Sequence, residues 1–380
     1  MSKGKKPPKL PPGFAPGSKA RKMPPGFAAG PKTTRSRSVR PAGGNGVPTG
    51  LKRKDFSSDQ DVRWCPGCGD YAILASVQRL LPSLGIPKEN LVFISGIGCS
   101  SRFPYYMNAY GMHTIHGRAP TFATGLKASR PDLDVWIVTG DGDALSIGGN
   151  HLIHVLRRNI NVQILLFNNQ IYGLTKGQFS PTSEIGKVTK STPYGSLTYP
   201  FNPVSVALGA AASFVARTTD RDVKHMTEIV RRAHAHTGAA FVEIYQNCNI
   251  YNDGAFFDFT EKATKALRTV RLEHGKPMVY DHGNKAVRLD GFRPVSIDLT
   301  SGDWSLDDAI VYDESSSELA GIASRMSRNP DLPRPIGVFF SERRDSFEML
   351  LHRQIKFVTR KRGKGNLNHL LRSGDTWEVA

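Results

Sequence analysis

Residues 135–174, VWIVTGDGDALSIGGNHLIHVLRRNINVQILLFNNQIYGL, decide the fold. VWIVTGDG (135–142) and VQILLFNN (162–169) are short apolar runs enriched in β-branched residues. HLIHVLRR (151–158) between them has apolar positions at helical spacing. Strand, helix, strand in this span predicts a parallel pair joined by a crossover. Each run ends on polar residues, TGDGD and NNQ. In a parallel open sheet both ends lie on the same edge, where ligands bind.

The residues at those two ends suit a phosphorylated ligand and a hard cation. Asp141 offers a carboxylate, and Asn169 offers an amide oxygen at the neighbouring strand end. The Ile171 backbone carbonyl can complete a set of oxygen ligands of the kind magnesium takes. Gly140 and Gly142 let the backbone approach closely, and a helix starting near Asp143 would point its N–H groups at phosphate. Alone, GDG is a tight strand-to-helix turn. With 26 residues between Gly142 and Asn169 it matches the thiamine diphosphate fingerprint.

Outward from this stretch the pattern continues. LVFISGIG (91–98) and AAFVEIYQ (239–246) are further buried-strand runs. YAILASVQRLL (71–81), PVSVALGAAASF (203–214) and DVKHMTEIVRRAHAH (222–236) read as helical or small-residue stretches. Buried strands alternating with helices predict an α/β fold with a doubly wound parallel sheet over residues 56–255. Residues 256–350 are more polar, with weaker runs at PMVY, AIVY and IGVFF, and are expected to form a smaller C-terminal region packed on the first. Residues 1–55 are rich in Pro, Gly, Ser and Lys and repeat PPGFA at 11–15 and 24–28, which reads as a disordered basic arm. Residues 351–380 read as a basic tail.

The 380-residue chain carries a formal net charge of +18. Residues 1–54 hold 14 Lys/Arg and no acid, residues 351–372 hold seven and none, and the last eight residues hold two acids. Residues 55–350 are therefore left at −1. Charge confined to the ends argues against nucleic-acid binding, which places its basic patch on the folded module. Two solvated tails are the plain reading. No run reaches the ~18 apolar residues of a spanning helix. The basic N-terminus has no apolar core and is not a secretory signal. A cytoplasmic, reduced protein is expected.

Four cysteines in this length do not make a disulfide scaffold. Cys65 and Cys68 lie in CPGCG, Cys99 in GIGCSS after a strand, and Cys248 in QNCN after another. All are expected on the edge that carries GDG and NNQIYGL. Four thiolates converging there suit an iron–sulfur cluster. Structural zinc is the alternative, although zinc sites usually pair CxxC with CxxC. A redox CxxC with two unrelated buried thiols is the third reading.

From Trp64 to Asn252 the chain resembles the β subunit of the 2-oxoacid:ferredoxin oxidoreductases, most closely the 2-oxoglutarate type. WCPGCG, SGIGCSSRFP, GMHTIHGRAPTFATGLK, TGDGDALSIGGNHLIHVLRRN, NNQIYGLTKGQFSPTS and FVEIYQNC carry the resemblance, in that order. It implies the diphosphate-binding domain of the thiamine diphosphate fold. It also implies one [4Fe–4S] cluster on Cys65, Cys68, Cys99 and Cys248, and magnesium on Asp141, Asn169 and the Ile171 carbonyl. Ile97, Gly98, Cys99, Ser100, His116, Gly117, Arg118, Gly142, Asp143, Gly173 and Leu174 would line the thiamine diphosphate. Arg102 matches a position that is basic in members using 2-oxoacids, where it could pair with a substrate carboxylate. His116 is a candidate catalytic group, while His151 and His154 read as helix packing. Asn247 and Asn249 flank Cys248 where many members have a proline beside it.

The resemblance implies oxidative decarboxylation of a 2-oxoacid with CoA, giving acyl-CoA and CO2, with electrons leaving through the cluster to ferredoxin. No second α/β domain is legible to supply the glutamate that activates thiamine. That residue is expected on an α subunit, with the cofactor at the interface. Pyruvate or a branched-chain 2-oxoacid is the alternative substrate. A zinc-stabilised, nucleic-acid-binding scaffold with a vestigial thiamine site is the alternative of another class.

Overall fold

The computed structural model describes residues 50–379. The expected basic arm lies outside the described residues up to residue 49. Residues 50–55 belong to the fold, and Phe56 is completely buried.

The strands are β1 (Leu91–Ser95), β2 (Tyr110–His113), β3 (Asp134–Gly140), β4 (Val162–Asn168), β5 (Ile171–Tyr172), β6 (Gln178–Phe179), β7 (Phe214–Thr219), β8 (Ala239–Tyr245), β9 (Thr269–Leu272), β10 (Val279–Tyr280), β11 (Lys285–Asp290), β12 (Arg293–Asp298) and β13 (Arg334–Ser341). Eight of them form one sheet, in the order β2-β1-β3-β4-β8-β7-β13-β9. β2 through β7 in that order run parallel. β13 is antiparallel to β7, and β9 is parallel to β13.

The helices are α1 (Asp70–Leu84), α2 (Ala119–Ser129), α3 (Asp141–Leu145), α4 (Gly149–Arg157), α5 (Pro203–Gly209), α6 (Val223–Ala235), α7 (Phe257–Thr260), α8 (Lys265–Arg268), α9 (Ser317–Met326), α10 (Phe347–Arg362) and α11 (Leu367–Leu371). Both faces of the sheet are covered, which is why β4 is apolar almost throughout and buried at every position. Val92, Ile94, Val135, Ile137, Ile164 and Leu166 pack on α2, α4, α5 and α9. The alternate residues Phe93, Trp136, Val138, Leu165 and Phe167 pack on α1 and α6. On α6, Met226, Ile229, Val230 and Ala233 form the buried stripe, and the Asp222 side chain caps the helix by accepting from the His225 N–H.

Several expectations need correction. The helix after GDG starts at Asp141, not near Asp143. It runs five residues, breaks at Ser146 and resumes at Gly149. The helical stretch at 203–214 ends at Gly209. Ala211 takes φ 56° and closes the helix, and Phe214–Thr219 becomes the central strand β7. No propensity rule marks an alanine for that turn. The sheet also crosses the boundary expected at residue 255, because β9 and β13 extend it while β10, β11 and β12 form a separate small sheet. AIVY (309–312) forms no strand and makes only one isolated bridge, Pro277 to Val311. Much of the tail expected from residue 351 is helical in α10 and α11. α10 is fastened at its start by Glu348, which is buried and accepts from Ser346 Oγ at 2.5 Å. No helix of the described residues is long and apolar enough to cross a membrane.

Candidate functional site

The parallel register brings five strand ends to one edge: 96–99 after β1, 114–118 after β2, Asp141 after β3, Asn169 after β4 and 246–248 after β8. Asp143 ties three of these together. Its Oδ1 accepts from the Ile97 N–H at 3.0 Å, the Gly117 N–H at 2.7 Å and His116 Nδ1 at 2.6 Å. Its Oδ2 accepts from the Thr139 hydroxyl at 2.6 Å. Gly117 sits at φ 72°, and a Cβ there would lie 2.5 Å from the Gly148 nitrogen, so only glycine fits. The Asp143 side chain thus faces the loops that build the site.

Asp141 is buried, and its Oδ2 accepts from Ser180 Oγ and Thr182 Oγ1, each at 2.5 Å. Burial pushes the carboxyl up to about 6, and these two hydroxyls pull against that rise. Asn169 Oδ1 accepts from the Ile171 N–H at 3.2 Å, with Gln170 between them at φ 56°. Tyr172 lies over Gly142, where a Cβ would meet its ring at 2.3 Å, and its hydroxyl donates to the Gly142 carbonyl at 3.0 Å. The edge therefore brings a carboxylate and an amide close to hydroxyl side chains, oxygen donors of the kind a hard cation takes, with Ile171 two residues past Asn169. Among the described residues, no group of three or more His, Cys, Asp or Glu side chains, the four cysteines included, is arranged as a metal site. A set of Asp, Asn and backbone oxygen contains only one such residue.

Behind Asp141 a buried polar chain crosses the sheet. Thr182 Oγ1 is 2.9 Å from Asn168 Oδ1, Asn168 Nδ2 donates to Glu243 Oε1 at 2.7 Å, and Arg217 Nε donates to Glu243 Oε2 at 2.6 Å. Arg217 and Glu243 are fully buried. The sequence reading missed Asn168, Ser180, Thr182, Arg217 and Glu243. A glutamate inside the apolar run AAFVEIYQ was the available signal, since buried carboxylates need partners.

The four cysteines are free thiols, with Cys65 exposed and the others partly buried. A Cβ placed on Gly173 would sit 3.4 Å from Cys248 Sγ and 3.7 Å from Cys99 Sγ. Burial raises the Cys68 thiol most, followed by Asp70, and Cys248 and Cys99 add to it. Burial, Asp70 and Cys248 push Cys99 up to about 12, against the lowering effect of Arg102. Cys248 is raised by burial, while backbone N–H groups of Tyr251, Ile250 and Asn252 favour its thiolate. Asp70 itself is driven up to about 7 by burial and by Asp220. As isolated thiolates these sulfurs would be poorly stabilised. A cationic metal core would reverse that sign, so four thiol donors suit a cluster by their chemistry.

The loops carrying the cysteines are laced together. The Gly69 N–H donates to the Asn247 carbonyl at 3.1 Å, and Asn249 Nδ2 donates to the Pro66 carbonyl at 2.7 Å. The two asparagines beside Cys248 thus fasten the CPGCG loop. Trp64 Nε1 donates to the Cys99 carbonyl at 2.7 Å and joins the third loop to the first.

The remaining predicted residues lie on the loops around these strand ends, with Ser100 buried beside Gly140. Ile97, Gly98 and Ser100 lie in the loop and turn after β1, and Leu174 is exposed beside Gly173. Arg118 precedes α2 and donates to the Ile147 carbonyl at 3.2 Å. Arg102 donates to the Arg63 carbonyl at 2.8 Å, close to Cys99. His151 and His154 lie on α4, and His154 Nδ1 is buried without a partner.

Residues 96–244 match the thiamine pyrophosphate enzyme C-terminal TPP-binding domain. Over 342 residues the chain is 54% identical to the 2-oxoglutarate oxidoreductase subunit KorB of Mycobacterium tuberculosis, covering 88% of this chain and 91% of the relative. Over 192 residues it is 44% identical to the 2-oxoacid:ferredoxin oxidoreductase subunit beta of Saccharolobus solfataricus, covering 50% of this chain and 63% of the relative. A solved 2-oxoglutarate:ferredoxin oxidoreductase from Magnetococcus marinus, with 2-oxoglutarate, coenzyme A and succinyl-CoA bound, superposes with a TM-score of 0.68. That alignment has 32% identity and covers 86% of this chain and 97% of the neighbour.

Proposed function

The chain belongs to the 2-oxoacid:ferredoxin oxidoreductase β-subunit family, and from that membership we propose that it is the thiamine-binding, electron-accepting subunit of a cytoplasmic 2-oxoglutarate:ferredoxin oxidoreductase. Family membership sets the scaffold reading aside. One observation carries the proposal. Gly173 lies beside the sulfurs of Cys99 and Cys248, two residues after Ile171 and four after Asn169. The proposed magnesium ligands thus share one stretch of backbone with a glycine that lies against two of the four thiols.

When bound, thiamine diphosphate supplies the carbon nucleophile and electron sink for decarboxylation, and a [4Fe–4S] cluster supplies a one-electron acceptor. Asp141, Asn169 and the Ile171 carbonyl hold magnesium. Ser180 and Thr182 orient the Asp141 carboxyl through its Oδ2. Asp143 sets the loops at Ile97 and His116–Gly117, and its carboxylate accepts the Nδ1–H hydrogen bond of His116, leaving Nε2 for the site. Cys65, Cys68, Cys99 and Cys248 hold the cluster, and backbone N–H groups around Cys248 stabilise its thiolate. Arg102 contributes positive charge beside Cys99 for an anionic substrate. Among the described residues there is one large α/β sheet and no second one to grip the pyrimidine. An α subunit supplies that half and the activating glutamate.

The test is anaerobic co-expression with the α subunit, followed by assay of CoA-dependent ferredoxin reduction. 2-Oxoglutarate should outperform pyruvate and branched-chain 2-oxoacids, and the separated chain should be inactive. Preference for another 2-oxoacid contradicts the substrate, and turnover by the isolated chain contradicts the shared site.

A further inference from the structure

Between the Ser180–Thr182 turn and α5 the chain makes an excursion, residues 184–201, with an unusual surface. Tyr194 is 99% exposed, Leu197 90% and Tyr199 86%, and Ile185, Val188 and Phe201 are also exposed. Large apolar side chains concentrated in one exposed segment mark a surface that is covered in use.

The segment is internally fastened. The Gly186 N–H donates to the Ser196 carbonyl at 2.8 Å, the Ser196 N–H to the Lys187 carbonyl at 3.0 Å, and Ser196 Oγ to the Glu184 carbonyl at 2.7 Å. Tyr194 is followed by Gly195 at φ 93°, which folds against Gly186. The apolar side chains are thus displayed by hydrogen-bonded backbone, which lowers the ordering cost of a partner's binding.

The roots of the excursion are the candidate site itself. The Phe201 N–H donates to the carbonyl of Pro181 at 2.9 Å, and Pro181 stands between the two hydroxyl residues on Asp141. Lys187 Nζ donates to Asn252 Oδ1 at 2.5 Å, and Asn252 Nδ2 donates to the Asn169 carbonyl at 2.9 Å. Ile115, Ile147 and Leu174, on the loops of the same strand-end edge, are exposed as well. Apolar side chains are therefore exposed both at the rim of the site and on the excursion rooted in it, so a partner that covers the site lies next to this excursion.

We propose that residues 184–201 are the docking surface for the α subunit, with Tyr194, Leu197 and Tyr199 as its anchors. The proposal rests on the reading that an α subunit completes the thiamine site. Because the excursion springs from Pro181 and is tied through Asn252 to Asn169, docking there also stiffens the surroundings of Asp141 and Asn169, two of the three proposed magnesium ligands.

The test uses the full chain and the purified α subunit. Leu197→Asp and Tyr199→Asp should each weaken their association at least ~100-fold, as loss of an interface anchor does. The melting temperature and iron content of the chain alone should stay unchanged. Phe292→Asp, at an exposed turn between β11 and β12, should bind as wild type. Wild-type affinity in both excursion variants would overturn the proposal while leaving the α-subunit reading intact. Variants that hold α but lose contact between two copies of this chain would overturn it in favour of self-association. A wild-type chain that binds no α subunit would overturn both readings.

Discussion

His116 Nδ1 and the Asp143 carboxylate are 2.6 Å apart, and the same carboxylate oxygen also accepts the backbone N–H groups of Ile97 and Gly117. One buried side chain on the GDG helix therefore sets the loops after β1 and β2 and the orientation of a candidate catalytic imidazole. Asp143→Ala leaves two N–H groups and the Thr139 hydroxyl without their partner, a loss of about 2–4 kcal/mol. Asp143→Asn keeps most acceptors and should lose less than half as much. Urea denaturation of the two variants checks the order.

Asp141 is held through Ser180 and Thr182, so the Thr182 hydroxyl is expected to matter for the cation more than for the fold. Thr182→Val should weaken magnesium-dependent thiamine diphosphate binding by the complex roughly 10-fold or more, as loss of an outer-shell partner does. Thr182→Ser should restore it. Calorimetric titration of the αβ complex reads the difference directly, and equal affinities in the valine and serine variants would remove Thr182 from the account.

Legibility followed period and spacing. The central strands β1, β3, β4 and β8 were readable because a sheet buried on both faces needs unbroken apolar runs. Asp141 and Asn169 were readable because their separation is fixed by one crossover helix. β7 was hidden behind PVSVALGAAASF, where a left-handed Ala211 divides helix from strand and alanine carries no signal for it. β13 was legible as the run IGVFF, but its place in the main sheet was not, and the edge strand β9 was hidden, because both are set by long-range pairing that no local pattern encodes. The resemblance places Asp143 among the cofactor-lining residues, but its partners come from loops about 26 and 46 residues upstream, a relation visible only in three dimensions.

Arg217 and Glu243 form a fully buried ion pair at the back of the site. Glu243→Gln or Arg217→Met leaves the other charge uncompensated. Either should cost about 3–5 kcal/mol, whereas the double change should recover much of the loss. A double-mutant cycle by denaturant unfolding checks this.

The Gly173 position lies at contact distance from two sulfurs. Gly173→Ala fits the chain itself, so the melting temperature should hold, but its methyl would take space at the proposed cluster. Lower iron content or a shifted electron paramagnetic resonance signal is expected in the reduced protein. An unchanged spectrum and iron content would place the cluster elsewhere.

Burial first, and Arg271 next, hold the His225 imidazole down at about 4 from the ordinary 6.5. The folded chain thus binds fewer protons at this site than the unfolded chain between those values. Its contribution to stability is full above pH 6.5 and is lost as pH falls toward 4, by at most about 1.4 kcal/mol per pH unit. His225→Gln should flatten the stability curve of the chain across that window, and a parallel curve would contradict the assignment.

The central claim is that one edge of this sheet carries both a diphosphate site and a four-cysteine cluster. Iron, acid-labile sulfide and zinc in the anaerobically purified αβ complex test it most directly. The account predicts about four iron and four sulfide per copy of this chain, with a brown absorbance that dithionite bleaches. Zinc without iron would contradict it.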